Sequence, residues 1–455
     1  QGEDQDQGLE GGKVQTRCWF EIHCLIVFDF EQKPAGTNLR AFLLASAVGF
    51  RENQSVQKPS SESVKTFRER YQREPAIIAQ APGRIEFLGN HTDYNLGQVL
   101  GVSIDRGTRV LLNHRPDAKW IFHSENQGRA DWEMDIPSGK ISPVRAGAAV
   151  SWVNYPLGVL EILRQKGAPL KAGFDFQVES DLPVGAGLSS SAALEIASAL
   201  AFGQCFGVSF SDPLDLMRIG WRAETEFVGM PCGILDQTAV VLGRKAGCVW
   251  IDCKAEKAET IPLPRECRFW LFNTLEQHSL IDSLYAERHR ECQEACKKLQ
   301  VRYPEIKGLC DLSPEALEAG VEHLSEIELR RARHVVQENS RVKRAVQLLN
   351  APRLDFGELG DFLNLSHASS RDLFENSTEH LDYLVDALQG QPKVWGARLT
   401  GGGFGGAVLA MTDPDFSQAD AEPVCESYRN RFGGEVELIG VQAGAGAEVI
   451  SPGRH

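Results

Sequence analysis

The chain has 455 residues, of which 42% are hydrophobic and 24% charged, with a formal net charge of −14. That is too long for one ordinary hydrophobic core, and the composition is that of a globular enzyme, which excludes a disordered or membrane-embedded chain. The acidic balance argues against nucleic acid or an anionic membrane surface as a standing partner, while a small anionic ligand can still bind in a locally positive pocket.

Residues 1–60 stand apart. They open on an acidic, Gln- and Gly-rich run, hold an apolar patch over Cys18 to Phe30, and end near Pro59-Ser60-Ser61, so they read as a leader or extension with no assigned role. Ser63 to Arg70 reads as a helix before a first strand over Ile77 to Gln80, and a strand-rich portion runs on to Phe122. Phe174 to Val178 alternates as a strand does, Pro183 to Gly187 forms a Pro- and Gly-bearing loop, and Ser190 to Phe206 carries Ala, Leu and Ile at helical spacing. Further helices are expected over Pro213 to Phe227, Leu284 to Leu299, Glu315 to Leu349 and Asp361 to Phe374. Strands are expected over Val394 to Leu399 and Ala407 to Met411, around a glycine run. Eleven cysteines without a CxxC pair suggest neither a zinc ribbon nor a disulfide framework, so reduced thiols and a cytoplasmic location are expected. The longest apolar stretches, such as Leu39 to Phe50, are too short or too interrupted to span a bilayer.

Three segments concentrate chemistry. Gly185-Ala186-Gly187-Leu188-Ser189-Ser190-Ser191-Ala192 lies between a strand and a helix, where glycines allow close backbone approach and the free N–H groups of a helix start attract an anion. A helix cap needs one serine, and here there are three. Arg84, Asn90, His91 and Asp93 crowd donors and acceptors between two glycines, as recognition of a polyol requires, since each sugar hydroxyl both donates and accepts. Gly229 to Gln237 sets Asp236 beyond a Pro/Gly turn, with Glu224 on the preceding helix. Other nucleotide signatures fail. No Gly-Lys pair is followed by Ser or Thr as in a Walker A loop, Asp355-Phe356-Gly357 has no His-Arg-Asp loop before it, and the GxGxxG of Gly401 to Gly406 runs into a strand rather than a helix.

Together these segments resemble the galactokinases, within the superfamily that also holds homoserine, mevalonate and phosphomevalonate kinases. The resemblance runs from Val64 to Val449 and takes in His278-Ser279-Leu280 with Tyr285, Arg330 to Val335, Ser366-His367 with Arg371-Asp372, and Leu399 to Gly406. It implies an ATP-dependent sugar-1-kinase acting on galactose or a galactose-like hexose. It implies an α+β, two-domain GHMP kinase fold, the N-terminal domain like domain 2 of ribosomal protein S5 with a left-handed crossover and the C-terminal domain ferredoxin-like. The expected domains are 61–265 and 266–455, with the active site between them and the chain a monomer.

The resemblance further implies roles for single residues. Gly185, Gly187, Leu188, Ser189, Ser190 and Ser191 would bind ATP, and Ser191 with Glu224 would hold Mg²⁺, a hard cation suited to oxygen ligands. Asp236 and Arg84 take the catalytic positions at the C1 and C2 hydroxyls, where Asp236 either removes the C1 proton or, with Arg84, holds the incipient alkoxide. Pairing with an arginine favours the second. Asn90, His91, Asp93 and Tyr285 would contact the remaining hydroxyls, and the glycine run would abut the nucleotide, while Ser366 and His367 stay structural. Two positions depart from the family: Asn90 stands where Glu is usual, and Gln277 where a basic residue is usual. With Asn90 facing C6, the enzyme would discriminate less at that carbon, and galacturonate, an amino sugar or arabinose would become alternative substrates. A sugar sensor without catalysis fits less well, because the phosphate loop is complete.

Overall fold

The computed structural model describes residues 61–450, apart from 127–130, 146–149, 184 and 277–280. The expectations for residues 1–60, for Gln277 and for His278 to Leu280 lie outside the described residues. The chain runs through α1 (Ser61–Tyr71), β1 (Ile77–Leu88), β2 (Gln98–Arg115), β3 (Lys119–Ser124), β4 (Asp131–Asp135), α2 (Asn154–Gln165), β5 (Gly173–Ser180) and α3 (Ser190–Phe206). It continues with α4 (Pro213–Arg222), α5 (Leu235–Leu242), β6 (Gly247–Asp252), β7 (Lys257–Pro262), β8 (Arg268–Asn273) and α6 (Ile281–Leu299). Last come α7 (Pro314–Glu318), α8 (Glu326–Leu349), α9 (Phe356–Ser369), α10 (Glu379–Gln389), β9 (Val394–Thr400), β10 (Ala407–Thr412), α11 (Gln418–Phe432), β11 (Glu437–Val441) and β12 (Glu448–Ile450).

The strands form two sheets. The first has eight strands in the path β12-β1-β2-β5-β3-β4, with β6 on β2 and β7 on β6. Its pairs are antiparallel except β3 with β5, which run parallel with α2 in their connection. The second sheet has the order β11-β8-β10-β9. Counted within that sheet this is fourth, first, third, second, the order expected of a ferredoxin-like unit. The last strand, β12, leaves this half of the chain and pairs Ile450 with Ile78 on β1, so it is built into the first sheet.

Period-2 alternation sorts the second sheet's side chains between two cores. Phe269, Leu271, Leu409 and Met411 join the large core of the first sheet. Phe272, Val408, Ala410 and Leu399 pack with Leu381, Leu384 and Tyr428 of α10 and α11 on the other face. Helix α3 has almost no polar face, and a helix that is apolar all round must be covered all round. It lies against β1 and β2 beneath α2, α4 and α5, with Ala192, Ile196, Ala199 and Phe202 fully buried. The nine cysteines among the described residues are all unpaired and eight are buried, in keeping with a reduced chain.

Three expected helices differ in detail. The stretch Glu315 to Leu349 is broken after Glu318, and Ser325 and Glu328 close a capping box that starts α8 afresh. Pro213 to Phe227 is α-helical only to Arg222 and then opens into a π turn, Ala223–Val228, which Gly229 ends in the left-handed conformation. Asp361 to Phe374 likewise passes from α9 into a π turn over Ser370–Phe374. Such turns recur at functional sites, and both touch the site described below.

A buried polar hub ties the loop after β1 to the C-terminal half. Glu338 of α8, fully buried, accepts the backbone N–H groups of Gly89 (3.0 Å) and Asn90 (3.2 Å), Ser366 Oγ (2.7 Å) and Arg341 Nε (2.7 Å). Its carboxyl is held far below the ordinary range against the cost of burial, chiefly by the charges of Arg341 and Arg398. Asn90, also fully buried, donates from Nδ2 to Glu86 Oε1 and the Gly401 carbonyl, both 2.9 Å, and accepts at Oδ1 from Ser370 Oγ (3.2 Å) and Asn376 Nδ2 (2.9 Å). Only this orientation of the amide satisfies all four neighbours. Asn90→Asp would set a carboxylate oxygen against two acceptors, and we expect it to cost about 3–5 kcal/mol, the scale of an uncompensated buried charge. Urea denaturation measures this, and a loss below about 1 kcal/mol would show that the amide does not sit between those acceptors.

Candidate active site

Pro82 has no N–H to give the ladder, and the β1–β2 register slips between Pro82 and Arg84, a bulge that turns the Arg84 N–H onto the Leu188 carbonyl at 3.1 Å. The guanidinium, on a residue 6% exposed, then makes three hydrogen bonds to two acceptors. Nε (2.8 Å) and Nη2 (2.6 Å) donate to Asp236 Oδ1, and Nη1 donates to the Gly187 carbonyl at 2.6 Å. Asp236 stands in the first turn of α5 and takes Ser189 Oγ on its other oxygen. Three segments that are far apart in sequence thus meet at one carboxylate.

The loop before α3 keeps Gly185, Gly187 and Ser190 exposed, while Leu188 and Ser189 turn inward. Leu188 is a core residue at 2% exposure, so what it offers the site is its backbone. Gly185 and Gly187 have φ of 76° and 69°, and a Cβ on Gly187 would stand 3.1 Å from the Thr400 carbonyl oxygen. The loop therefore lies backbone to backbone against the glycine turn after β9, where Gly401 faces Gly187 in return. Ser189 precedes α3 in the left-handed region at φ 56° without capping the helix, and its hydroxyl goes to Asp236. That hydroxyl, expected at the phosphates, is bonded here to the carboxylate of Asp236.

Glu224 hangs from the π turn. It bonds the Ser191 hydroxyl and accepts from Gln237 Nε2 at 2.6 Å, with Cys232 Sγ at 3.6 Å. Burial raises its carboxyl and the charge of Asp236 adds to this, against those hydrogen bonds. Gln237 Nε2 also donates to Glu195 Oε2 at 3.1 Å, and Glu195, fully buried, is pushed well above its usual range by desolvation and then by Glu224. Among the described residues no group of three or more His, Cys, Asp or Glu is arranged to hold a metal. A divalent ion here would rest on Ser191, Glu224 and oxygens brought by a nucleotide. That donor set suits Mg²⁺, which binds through one or two carboxylates together with substrate phosphates, and the crowded carboxylates would gain from a cation.

On the other side of Asp236, Asp93 sits in the short turn after the hub. A Cβ on Gly233 would overlap its carboxylate, which explains the glycine in the segment before Asp236. Burial pushes the Asp93 carboxyl up to about 7, opposed by a backbone hydrogen bond from Tyr94 and reinforced by Glu86 and Asp236. Tyr285 of α6 lies against the His91 ring, centroids 5.1 Å apart, and against Gly402.

Two expected sugar contacts fare differently. His91 Nε2 donates to the Gly402 carbonyl at 3.1 Å and Nδ1 accepts from Tyr94 Oη at 2.8 Å, so both ring nitrogens are engaged and burial lowers the imidazole to about 3. Asn90 has no exposed surface and no spare polar atom. The expectation that Asn90 faces C6 is therefore corrected: every donor and acceptor on its amide is committed inside the hub. His91 and Asn90 are engaged within the loop, and Arg84, Asp93, Asp236 and Tyr285 are the residues brought together beside it. Reading the sequence missed Glu86, Glu338 and Asn376 as parts of this arrangement. The signal available for Glu86 was its place two residues after Arg84 on one strand. Ser366 and His367 serve structure as expected, Ser366 through Glu338 and His367 through the Leu399 N–H.

Comparison with known proteins agrees with this geometry. The galactokinase galactose-binding signature matches residues 65–114, the GHMP kinases N terminal domain 154–244 and the GHMP kinases C terminal domain 345–432. The galactokinase of Thermotoga maritima is 38% identical over 82% of this chain and 99% of its own length, and that of Actinobacillus succinogenes 33% identical over 82% and 95%. The crystal structure of Lactococcus lactis galactokinase complexed with galactose superposes with a TM-score of 0.80 at 33% identity, covering 85% of this chain and 99% of that one. Mevalonate kinase of Methanococcus jannaschii shares the fold, with a TM-score of 0.59 at 16% identity. A chain with this site and these relatives belongs to the galactokinase family of the GHMP kinases.

Proposed function

We propose that this protein transfers the γ-phosphoryl group of ATP to the anomeric hydroxyl of galactose, giving galactose 1-phosphate and ADP. The observation that carries the reading is the convergence of Arg84 and Ser189 on Asp236 at the foot of the glycine loop. The C1 oxygen bonds to the γ-phosphorus as the bond from that phosphorus to the bridging oxygen breaks and ADP leaves, the C1 hydroxyl proton passing to an oxygen of the transferred phosphoryl group and on to solvent, a reaction that needs positioning and charge stabilisation more than covalent help. One oxygen of Asp236 is taken by Arg84 and the other by Ser189, so accepting a proton would cost it a partner. That favours the electrostatic role, with Asp236 orienting the hydroxyl and Arg84 offsetting charge as the new bond forms. The exposed Gly185, Gly187 and Ser190 would cradle the triphosphate at the start of α3. Ser191 and Glu224 would hold Mg²⁺, which when bound neutralises the phosphate oxygens. Asp93 and Tyr285 would bind sugar hydroxyls. Of the two departures that set galactose in question, Asn90 and Gln277, the first lies buried away from any substrate, which supports galactose as the acceptor. Among the described residues no helix is long and apolar enough to cross a membrane.

Steady-state assays with Mg-ATP and galactose test this directly. Asp236→Ala should leave ATP binding intact and lower kcat more than about tenfold, since a smaller loss would assign it less than about 1.4 kcal/mol of the barrier. Ser191→Ala and Glu224→Gln should each raise the Mg²⁺ concentration needed for half-maximal rate, and unchanged titrations in both would move the metal ligands elsewhere.

Asp93 gives a signed pH dependence. Its folded value, about 7, lies above the 3.8 of a free carboxyl, so the folded state holds this proton more tightly and the contribution to stability falls as pH rises between the two. The ionised form is also the better acceptor for sugar hydroxyls, so kcat/KM for galactose should rise across the same upper limit. Asp93→Asn should flatten the fall in Tm between acid and neutral pH and lower kcat/KM about 10- to 100-fold, the worth of a hydrogen bond to a charged group. A variant with wild-type kcat/KM would place Asp93 outside the sugar site.

A further inference from the structure

Asn90 leaves the sugar side without the carboxylate expected there, and a neighbouring residue supplies one. Between the two register slips of β1 the pairing is regular, Arg84 with Ser103, Ile85 with Val102 and Glu86 with Gly101. Successive strand residues point to opposite faces, so Glu86 shares the face of Arg84. Helix α5, which carries Asp236, covers that face: a Cβ on Gly101 would meet Ala239 and Leu235. The backbone of Glu86 is pinned on both sides by Thr400 Oγ1, its N–H donating at 3.1 Å and its carbonyl accepting at 3.2 Å. Of its two carboxylate oxygens, Oε1 is committed to Asn90 Nδ2 and to Nη2 of the fully buried Arg398, both at 2.9 Å. Oε2 has no hydrogen-bond partner among the described residues, yet it is not one of the buried polar atoms stranded without one, and the side chain keeps 7% of its surface open. The charge of Glu86 acts on Arg84, Asp93 and Tyr285, the groups gathered about Asp236.

We propose that Glu86, through Oε2, accepts a hydrogen bond from a ring or exocyclic hydroxyl of the sugar and is a specificity-determining residue, with Asn90 and Arg398 holding its other oxygen in place. This rests on the sugar-kinase reading and deepens it. A Glu whose only task was to neutralise Arg398 would have no reason to leave one oxygen open beside Asp93 and Arg84. Asn90 then has a definite duty: its amide fixes the rotamer of the carboxylate that meets the substrate.

The test compares wild type, Glu86→Gln and Glu86→Asp with galactose and its 2-, 3-, 4- and 6-deoxy analogues, and measures KM for ATP at saturating galactose. Glu86→Gln can keep its carbonyl on Asn90 and Arg398 while turning the open acceptor into an amide donor. We expect it to raise KM for galactose at least about fivefold, the difference between a charged and a neutral acceptor, and to shrink by a similar factor the wild-type penalty against one of the four deoxy sugars. KM for ATP should stay within about twofold, whereas a purely structural defect would move both constants. Glu86→Asp withdraws the carboxylate by one methylene while keeping its charge for Arg398, and carries the same test should Glu86→Gln fail to fold. Unchanged penalties against all four deoxy sugars in a folded variant, or parallel shifts in both KM values, would overturn the proposal. If wild type itself does not turn over galactose, the kinase reading fails instead.

Discussion

The loop after β1, and with it the candidate site, depends on one buried carboxylate, Glu338. A carboxylate with no exposed surface is tolerable only if its oxygens are saturated with donors. It meets that condition with two backbone N–H groups from the loop after β1, a serine hydroxyl and an arginine. The loop cannot shift without stranding that charge, so the position of everything following it is fixed before any substrate arrives. His334 adds a second tether to the Asn90 carbonyl at 3.1 Å, and Asn376 a third to its side chain. These bonds tie the loop to the C-terminal half of the chain, which suits a reaction whose catalysis is mostly positioning.

The electrostatics of the site follow from what is allowed to be charged. Asp236 and Glu86 are each committed to an arginine, Arg84 and Arg398 respectively. Asp93, Glu224 and Glu195 have carboxyls raised by burial and by like charges nearby. An acid-rich cleft accepts hydrogen bonds from a polyol, whose hydroxyls supply the missing donors, and it tolerates a triphosphate only when a cation comes with it. Such an arrangement suits a neutral polyol together with a triphosphate whose charge a cation offsets. The net charge of −14 says nothing of this balance, because the decisive charges are local.

Much of the scaffold was legible because its signals are local. The Ala, Leu and Ile run of α3 predicts that helix over Ser190–Phe206 to the residue, and the alternation of Phe174 to Val178 predicts the core of β5. The glycine loop and the Arg84, Asp93 and Asp236 positions were visible as motifs, and the structure brings those motifs together. What sequence could not show are partners far along the chain. Asn90 reads as a sugar contact facing C6, and only the presence of Ser370 and Asn376, 280 and 286 positions away, makes it interior. His91 is absorbed in the same way by Gly402, 311 positions on. Nor does any local pattern announce that β12 returns to β1.

The π turns show why the remaining error was physical rather than accidental. A period of 3.6 residues is read over a window of several turns, and one widened turn at the end of a helix barely alters the pattern. Yet each widened turn changes where a functional side chain points. In Ala223–Val228 it carries Glu224 toward Ser191 and Gln237, and in Ser370–Phe374 it carries Ser370 toward Asn90. The bulge at Pro82 does the same for a strand, giving the Arg84 N–H to Leu188 and aiming the guanidinium at Asp236. Ser189, held at positive φ, spends backbone strain to bring its hydroxyl to that same carboxylate. Regular elements build the frame, and the site stands where each element departs from its own period, so a method that recognises elements by their period finds the frame first and the site last.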